Sequence, residues 1–121
     1  MAAARFQVFL AESDRVVWRF LSANNRSIAR SVGDFPDTGA CMVSLKELIK
    51  VVDSANILTV RTGQGLWRWQ LRAGSDDLAV SGRQYHRRIR AYGAGCAFQD
   101  LAGKVQDVAD LRAVSFDRTS A

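Results

Sequence analysis

The 121-residue chain carries a formal net charge of +5, and its 48% hydrophobic and 24% charged content is typical of a globular protein rather than a disordered one. Half of this length, about 60 residues, would bury too little surface to fold alone, so we expect one domain whose halves share a core. No apolar run approaches the roughly 20 residues of a membrane-spanning helix, and the first residues lack the apolar core of a signal peptide, so we expect a cytoplasmic protein without membrane contact.

Three strands and a helix are predicted in the first half. Phe6 to Ala11 and Val16 to Ser22 alternate with the period of two that half-buried strands have, and a polar turn separates them. Ser27 to Val32 follows an Asn-Asn turn and completes a meander. The period then becomes helical, with Asp37 or Thr38 as the expected N-cap. The predicted apolar stripe of this helix is Met42, Leu45, Ile49 and Val52.

The second half repeats this order of elements. Ile57 to Thr62 and Leu66 to Arg72 take the places of the first two strands at a displacement of 51 residues, which aligns Trp69 with Trp18. A third strand ending at Ser81 follows at a displacement of 50. The second helix aligns at a displacement of 56, with the stripe Phe98, Leu101, Val105 and Val108. The recurring order indicates an internal duplication.

The change of displacement from 50 to 56 predicts six added residues, and we assign His86 to Ala91 to this extra loop. A last short strand is predicted from Leu111 to Phe116. The expected organisation is therefore a single domain, residues 1–121, built of repeat 1 (6–52) and repeat 2 (57–116). Because both repeats lie in one chain, their sheet pairing can be satisfied internally, and we predict a monomer with an internal pseudo-dimer.

The paired order, with Trp18-Arg19-Phe20 in the first repeat and Trp67-Arg68-Trp69 in the second, resembles the YegP-like family of small tandem-repeat domains. The resemblance covers roughly residues 6 to 110. This sequence departs from the family pattern because the Ser-Lys that usually follows the aromatic residue is missing after Phe35 and Tyr85. The resemblance implies an α+β fold of two β-β-β-α repeats that share an antiparallel sheet, with the helices on one face and strand exchange between the repeats. The family has no established activity.

Residues suited to catalysis or metal binding are sparse. His86 is the only histidine, and no carboxylate adjoins it in sequence to orient it as a base. Asp76-Asp77 is typical of a turn, and Gly63-Gln64-Gly65 lacks the lysine of a phosphate-binding loop. Cys41 and Cys96 have no neighbours at metal-ligand spacing and are expected to be reduced core residues. We therefore predict no enzymatic activity, no catalytic residue, no cofactor and no metal.

Basic residues form the most distinctive functional feature. The candidate contact residues for an anion or a partner are Arg83, His86, Arg87, Arg88 and Arg90. They precede a helix whose free N–H groups also favour anions, and the guanidinium fork suits carboxylates and phosphates. We predict a small interaction module whose basic loop contacts an acidic partner, either a protein surface or nucleic acid, although a merely solvated arginine run is the simpler alternative.

The alternative function is that of a nucleic-acid-binding protein. It would use the arginines for phosphates and exposed sheet aromatics for bases. Burial is the competing account of the tryptophans, because each repeat needs a large apolar face to cover its helix. We expect Trp18 and Trp69 to lie in the core, and we expect the same of Trp67 with less support from the alignment, where Val16 stands opposite it.

Overall fold

A computed structural model describes residues 4–104 as a six-stranded antiparallel sheet with two helices. The strands are β1 (Arg5–Leu10), β2 (Val16–Leu21), β3 (Ser27–Arg30), β4 (Asn56–Arg61), β5 (Trp67–Ala73) and β6 (Asp76–Ser81). The helices are α1 (Thr38–Val51), which a short 3-10 turn (Val52–Ser54) follows, and α2 (Arg88–Gly103). The predicted α+β fold class is confirmed, whereas the predicted last strand, Leu111 to Phe116, lies outside the described residues.

The strand order of the sheet is β1-β2-β3-β6-β5-β4. Each half contributes three consecutive strands, and the halves join only where β3 pairs with β6, Ala29 opposite Ser81 and Arg30 opposite Val80. The prediction of strand exchange is therefore wrong for the described sheet. Short turns connect the strands within each half, so local pairing closes small loops and needs little loop-closure entropy. Neither described helix has the length and apolar composition needed to cross a membrane.

The halves share several local features besides their order of elements. The pairing of the second with the third strand shifts register once in each half, at equivalent positions. In the first half the Trp18 N–H donates to Ser31 Oγ at 3.4 Å, and in the second the Trp69 N–H donates to Ser81 Oγ at 3.3 Å. These pairs match the displacements of the sequence alignment, while the origin of the chain by duplication stays an interpretation.

The two helices correspond at a displacement of 50 residues rather than 56. α1 begins after Asp37 and α2 after Arg87. The predicted six-residue insertion, His86 to Ala91, is therefore wrong, because its last four residues are the first turn of α2. The buried positions agree with this displacement. They are Cys41, Leu45, Leu48 and Val52 in the first half and Ala91, Gly95, Phe98 and Ala102 in the second.

Small residues explain the misalignment of α2. Three of the four buried residues of α2 are alanine or glycine, so an alignment guided by large apolar side chains moved the stripe toward the C-terminus. Small side chains also let a helix approach a sheet closely. A Cβ atom on Gly95 would lie only 2.7 Å from Ile57 Cγ2 and 3.0 Å from Trp69 Cγ. Trp69 thus takes the space that a larger residue at position 95 would need.

A group of aromatic rings fills the core between the sheet and the helices. Phe98 stacks on Trp69 with the ring centres 5.2 Å apart, and it meets Phe20 edge-on at 5.3 Å and Phe6 at 6.3 Å. Trp69 is completely buried and Trp18 is 1% exposed, which confirms the prediction that both indoles lie in the core. Phe98 therefore connects strands of the first half to a strand of the second.

We predict that Gly95→Ala lowers the free energy of unfolding by about 1–3 kcal/mol, because the added methyl group overlaps Trp69 and Ile57. The matched control is Gly93→Ala, two residues away in the same helix, where a Cβ atom has no neighbour within 4 Å. Alanine is the better helix former, so this variant should gain about 0.5–1 kcal/mol. Urea denaturation of both variants checks the opposite signs, and equal effects would contradict the close approach of α2.

We also predict that Phe98→Ala lowers the free energy of unfolding by about 3–5 kcal/mol, since it leaves a cavity between three aromatic rings. Tyr92→Ala removes an aromatic ring from the same helix at a position that is 51% exposed, and it should change stability by less than about 0.5 kcal/mol. Chemical denaturation of the pair measures the difference. Similar losses in both variants would exclude Phe98 as the connection between the halves.

Candidate anion-binding site

Four of the five candidate contact residues line one open cavity of about 540 Å³ at the start of α2. We call these four residues, Arg83, His86, Arg87 and Arg90, the basic cluster. Gln84 and Tyr85 complete the lining. The structure thus brings together residues from the segment after β6 and from the first turn of α2, although no extra loop is present.

Tyr85 fixes the segment that carries the basic cluster. Its backbone N–H and C=O both bond to the backbone of Trp67 on β5, each with an N···O distance of 2.7 Å. Phe35 makes the same pair of bonds with Val16 in the first half. Burial raises the pKa of the Tyr85 hydroxyl, while the positive charge of Arg83 opposes this rise. The hydroxyl is therefore neutral at physiological pH and can donate a hydrogen bond.

The N-terminus of α2 differs from that of α1 in charge. In α1 the carboxylate of Asp37 accepts the Ala40 N–H at 2.8 Å and caps the helix, as predicted. In α2 the N-cap residue is Arg87, which makes no side-chain capping bond, and the first turn contains no acidic residue. Cations at the positive end of a helix dipole are unfavourable, so an anion bound there would relieve the repulsion.

Arg88 does not join the basic cluster. Its Nε donates to Thr59 Oγ1 on β4 at 3.1 Å, which directs the side chain along the sheet. Successive residues at the start of a helix point about 100° apart, so neighbours in sequence separate in space. The structure therefore divides the predicted set into four residues around a cavity and one that joins α2 to β4.

A second cavity of about 530 Å³ adjoins the first and shares Tyr85 and Arg90 with it. Ile89, Gly93 and Ala94 line the rest of this apolar cavity. Ile89 is 75% exposed, an unusual exposure for isoleucine. This surface was not predicted from the sequence, because these residues were assigned to a loop and to the wrong phase of α2.

No cysteine or carboxylate of the described residues lines the cavity of the basic cluster, and His86 is the one metal-ligating side chain among its lining residues. Cys41 is completely buried, and burial raises the pKa of its thiol from 9.0 to about 11, so it is neutral and weakly nucleophilic at physiological pH. Within residues 4–104, no three His, Cys, Asp or Glu side chains lie close enough together to hold a metal ion. The groups that this site offers to a ligand are arginines, the imidazole of His86, the amide of Gln84, backbone N–H groups and the hydroxyl of Tyr85.

No protein-family model matches the chain, and no curated protein matches its sequence. Among solved structures, YegP from E. coli, a protein of unknown function, superposes with a TM-score of 0.66 over 100% of this chain and 97% of that chain, at 14% identity. The chain has the YegP-like fold. A UPF0339 protein from Shewanella oneidensis gives a TM-score of 0.70 at 8% identity, covering 85% of this chain and 87% of that chain.

The resemblance to the YegP-like family in the sequence is thus confirmed at the level of the fold. At such low identity, the superposition shows a shared arrangement of helices and strands. Function depends on the residues of a site and not on the fold that carries them. The basic cluster must therefore be interpreted from its own chemistry.

We predict that the Cys41 thiol makes stability depend on alkaline pH. The unfolded chain ionises this thiol near its usual pKa of 9.0 and the folded chain only near 11, so its contribution is complete below pH 9 and is lost between about pH 9 and 11. Wild type should lose about 1–2 kcal/mol more between pH 8 and about pH 10.5 than Cys41→Ala. Urea denaturation at both pH values measures this difference, and parallel losses would contradict it.

Proposed function

We propose that this protein is a small, non-enzymatic interaction module that binds an acidic segment of a partner protein at the basic cluster. The observation that carries the proposal is the convergence of three arginines on one cavity at a helix N-terminus that no side chain caps. A carboxylate placed there would meet guanidinium groups and the positive end of the helix dipole together.

The surrounding charges support this proposal. The ion pairs within residues 4–104 are Arg15 with Asp34, Arg72 with Asp77, and two lysine pairs on the helices, so none involves the basic cluster. An arginine without an internal carboxylate partner can meet a planar carboxylate with two parallel hydrogen bonds. The cluster therefore favours an acidic ligand from outside the described chain.

The neighbouring apolar cavity favours a protein partner over nucleic acid at this site. A peptide can present a carboxylate to Arg90 and an apolar side chain to Ile89 at the same time, and Arg and aromatic residues are enriched at such contacts. The nucleic-acid alternative needs exposed aromatics of the sheet beside the arginines. Trp18 and Trp69 are buried, and Trp67 is half-buried with the Arg61 guanidinium 5.9 Å from its ring centre.

A set of labelled acidic peptides, each with one apolar residue among Asp and Glu, tests the proposal by fluorescence anisotropy. We expect Arg87→Ala/Arg90→Ala to weaken binding at least tenfold, because each lost charged hydrogen bond contributes about 1.5–3 kcal/mol. Arg19→Ala/Arg30→Ala is the matched control, since it removes the same charge from strands β2 and β3, and it should bind these peptides like wild type.

Three outcomes would overturn the proposal. Equal weakening by both double variants would mean that peptides respond only to net charge. Tighter binding of an oligonucleotide than of any peptide at the basic cluster would favour the nucleic-acid alternative. Failure of every peptide to bind wild type at low salt would reject an acidic protein ligand.

A further inference from the structure

The sheet surface opposite the helices, which we call the outer face, carries most of the excess positive charge of the described chain. Its arginines are Arg5, Arg19, Arg30, Arg68 and Arg72. On the described strands its one carboxylate is Asp77, which pairs with Arg72 at 2.8 Å. The outer face and the basic cluster have no residue in common, so a ligand here would be independent of the proposed function.

Arg19 and Arg30 lie directly opposite each other on β2 and β3. Like charges at directly paired positions of an antiparallel sheet are destabilising. Arg19 donates from Nε to Gln7 Oε1 at 2.5 Å, and its guanidinium lies 4.9 Å from the Phe9 ring centre. No carboxylate of the described residues forms an ion pair with either arginine. An anion held between the two guanidinium groups would remove their repulsion.

A cavity of about 390 Å³ opens on the outer face beside this arginine pair. Phe9, Val17 and the 48% exposed Val32 give it apolar walls, and Arg30 borders it. Asp34 also lines this cavity, but its carboxylate is held by Arg15 at 3.1 Å. A flat apolar group next to a phosphate would therefore find a matching surface, to which the Phe9 ring contributes beside the Arg19 guanidinium.

Further arginines continue the positive surface across the sheet. Arg30 is opposite Val80, and Val80 is opposite Gln70 on β5, where Arg68 and Arg72 lie two residues to either side. With strands about 4.8 Å apart and about 3.3 Å per residue along a strand, Arg68 and Arg72 lie roughly 12 Å from Arg30. Arg68 Nε is also buried without a hydrogen-bond partner among the described residues, a state that proteins rarely leave unsatisfied.

We propose that the outer face binds single-stranded nucleic acid. A base packs against the apolar walls that Phe9, Val17 and Val32 give this cavity, and phosphates contact Arg19 and Arg30 and then Arg68. A polymer with repeated negative charge reaches all of these arginines at once, whereas an isolated anion reaches one pair. Single strands fit better than a duplex because only unpaired bases expose their faces for stacking on a sheet.

Fluorescence anisotropy with labelled oligo(dT), at about 50 mM and about 200 mM salt, tests the proposal. We expect Arg19→Ala/Arg30→Ala to weaken binding at least tenfold and to reduce the slope of log K against log salt by about 1.4, since each lost phosphate contact removes about 0.7. Arg87→Ala/Arg90→Ala, with the same loss of charge, should bind like wild type. Phe9→Ala, which removes an apolar wall of the cavity and no charge, should weaken binding several-fold without changing the slope.

Each remaining outcome overturns the proposal. Equal losses in the two double variants would show attraction by net charge alone, and a loss only in Arg87→Ala/Arg90→Ala would move nucleic acid to the basic cluster. Polyglutamate that competes as well as oligo(dT) would assign the outer face to an acidic protein. Because Arg30 is exposed, the single variant Arg30→Glu should keep the fold and still abolish binding at the higher salt, and unchanged binding would reject the site.

Discussion

The packing of Phe98 against rings from both halves is the contact on which the rest of the structure depends. The sheet joins its halves through one strand pair, β3 with β6, so backbone bonding alone connects them over a short length. Phe98 adds a second connection through the core, because it lies on α2 and contacts rings of β1, β2 and β5. Buried aromatic contacts of this kind contribute beyond their buried area, so this side chain strengthens the connection that the β3–β6 pair makes between the two three-stranded units.

The close approach of α2 to the sheet also determines where the arginines lie. Gly95 leaves no bulk between the helix and Trp69, and the helix begins at Arg88, three residues after the Tyr85 backbone bonds. The basic residues are consequently presented by a helical turn and an anchored segment rather than by a free loop. A ligand that binds there meets side chains on a fixed support, and less conformational entropy is lost on binding.

The sequence was sufficient to predict the positions of the strands, but it was insufficient to predict where the second helix begins and which of its residues are buried. Alternation around Trp18 and Trp69 is a direct consequence of strand geometry, and the strands and the burial of both indoles follow from it. The inner stripe of α2 is mostly small, so hydrophobicity gave no signal for Ala91 or Gly95, and the phase of the helix came from packing against Trp69.

The two candidate surfaces likewise differ in how much of each the sequence predicts. The closeness of the four residues in sequence is enough to predict that the basic cluster lies together. That Arg88 points away from them depends on where α2 begins, which the structure shows. The pairing of Arg19 with Arg30 depends on the register between β2 and β3, which shifts just beyond Phe20. Strand alternation alone predicts that Arg19, Arg68 and Arg72 share the face opposite the tryptophans. A bulge of this kind has no sequence signature here, so the pairing of Arg19 with Arg30 could be found only in the structure.

The antiparallel pairing of β3 with β6 relates the strand order of one half to that of the other by an approximate two-fold rotation. Equivalent positions of the two halves therefore lie on opposite sides of this strand pair. Asp37 and Arg87 occupy such positions, each at the start of its helix, with opposite charge. The two helix N-termini therefore differ in electrostatic potential although they follow equivalent strands of the sheet. An anionic ligand is attracted to the start of α2 and repelled from the start of α1, so the charges distinguish two ends that the strand order alone does not.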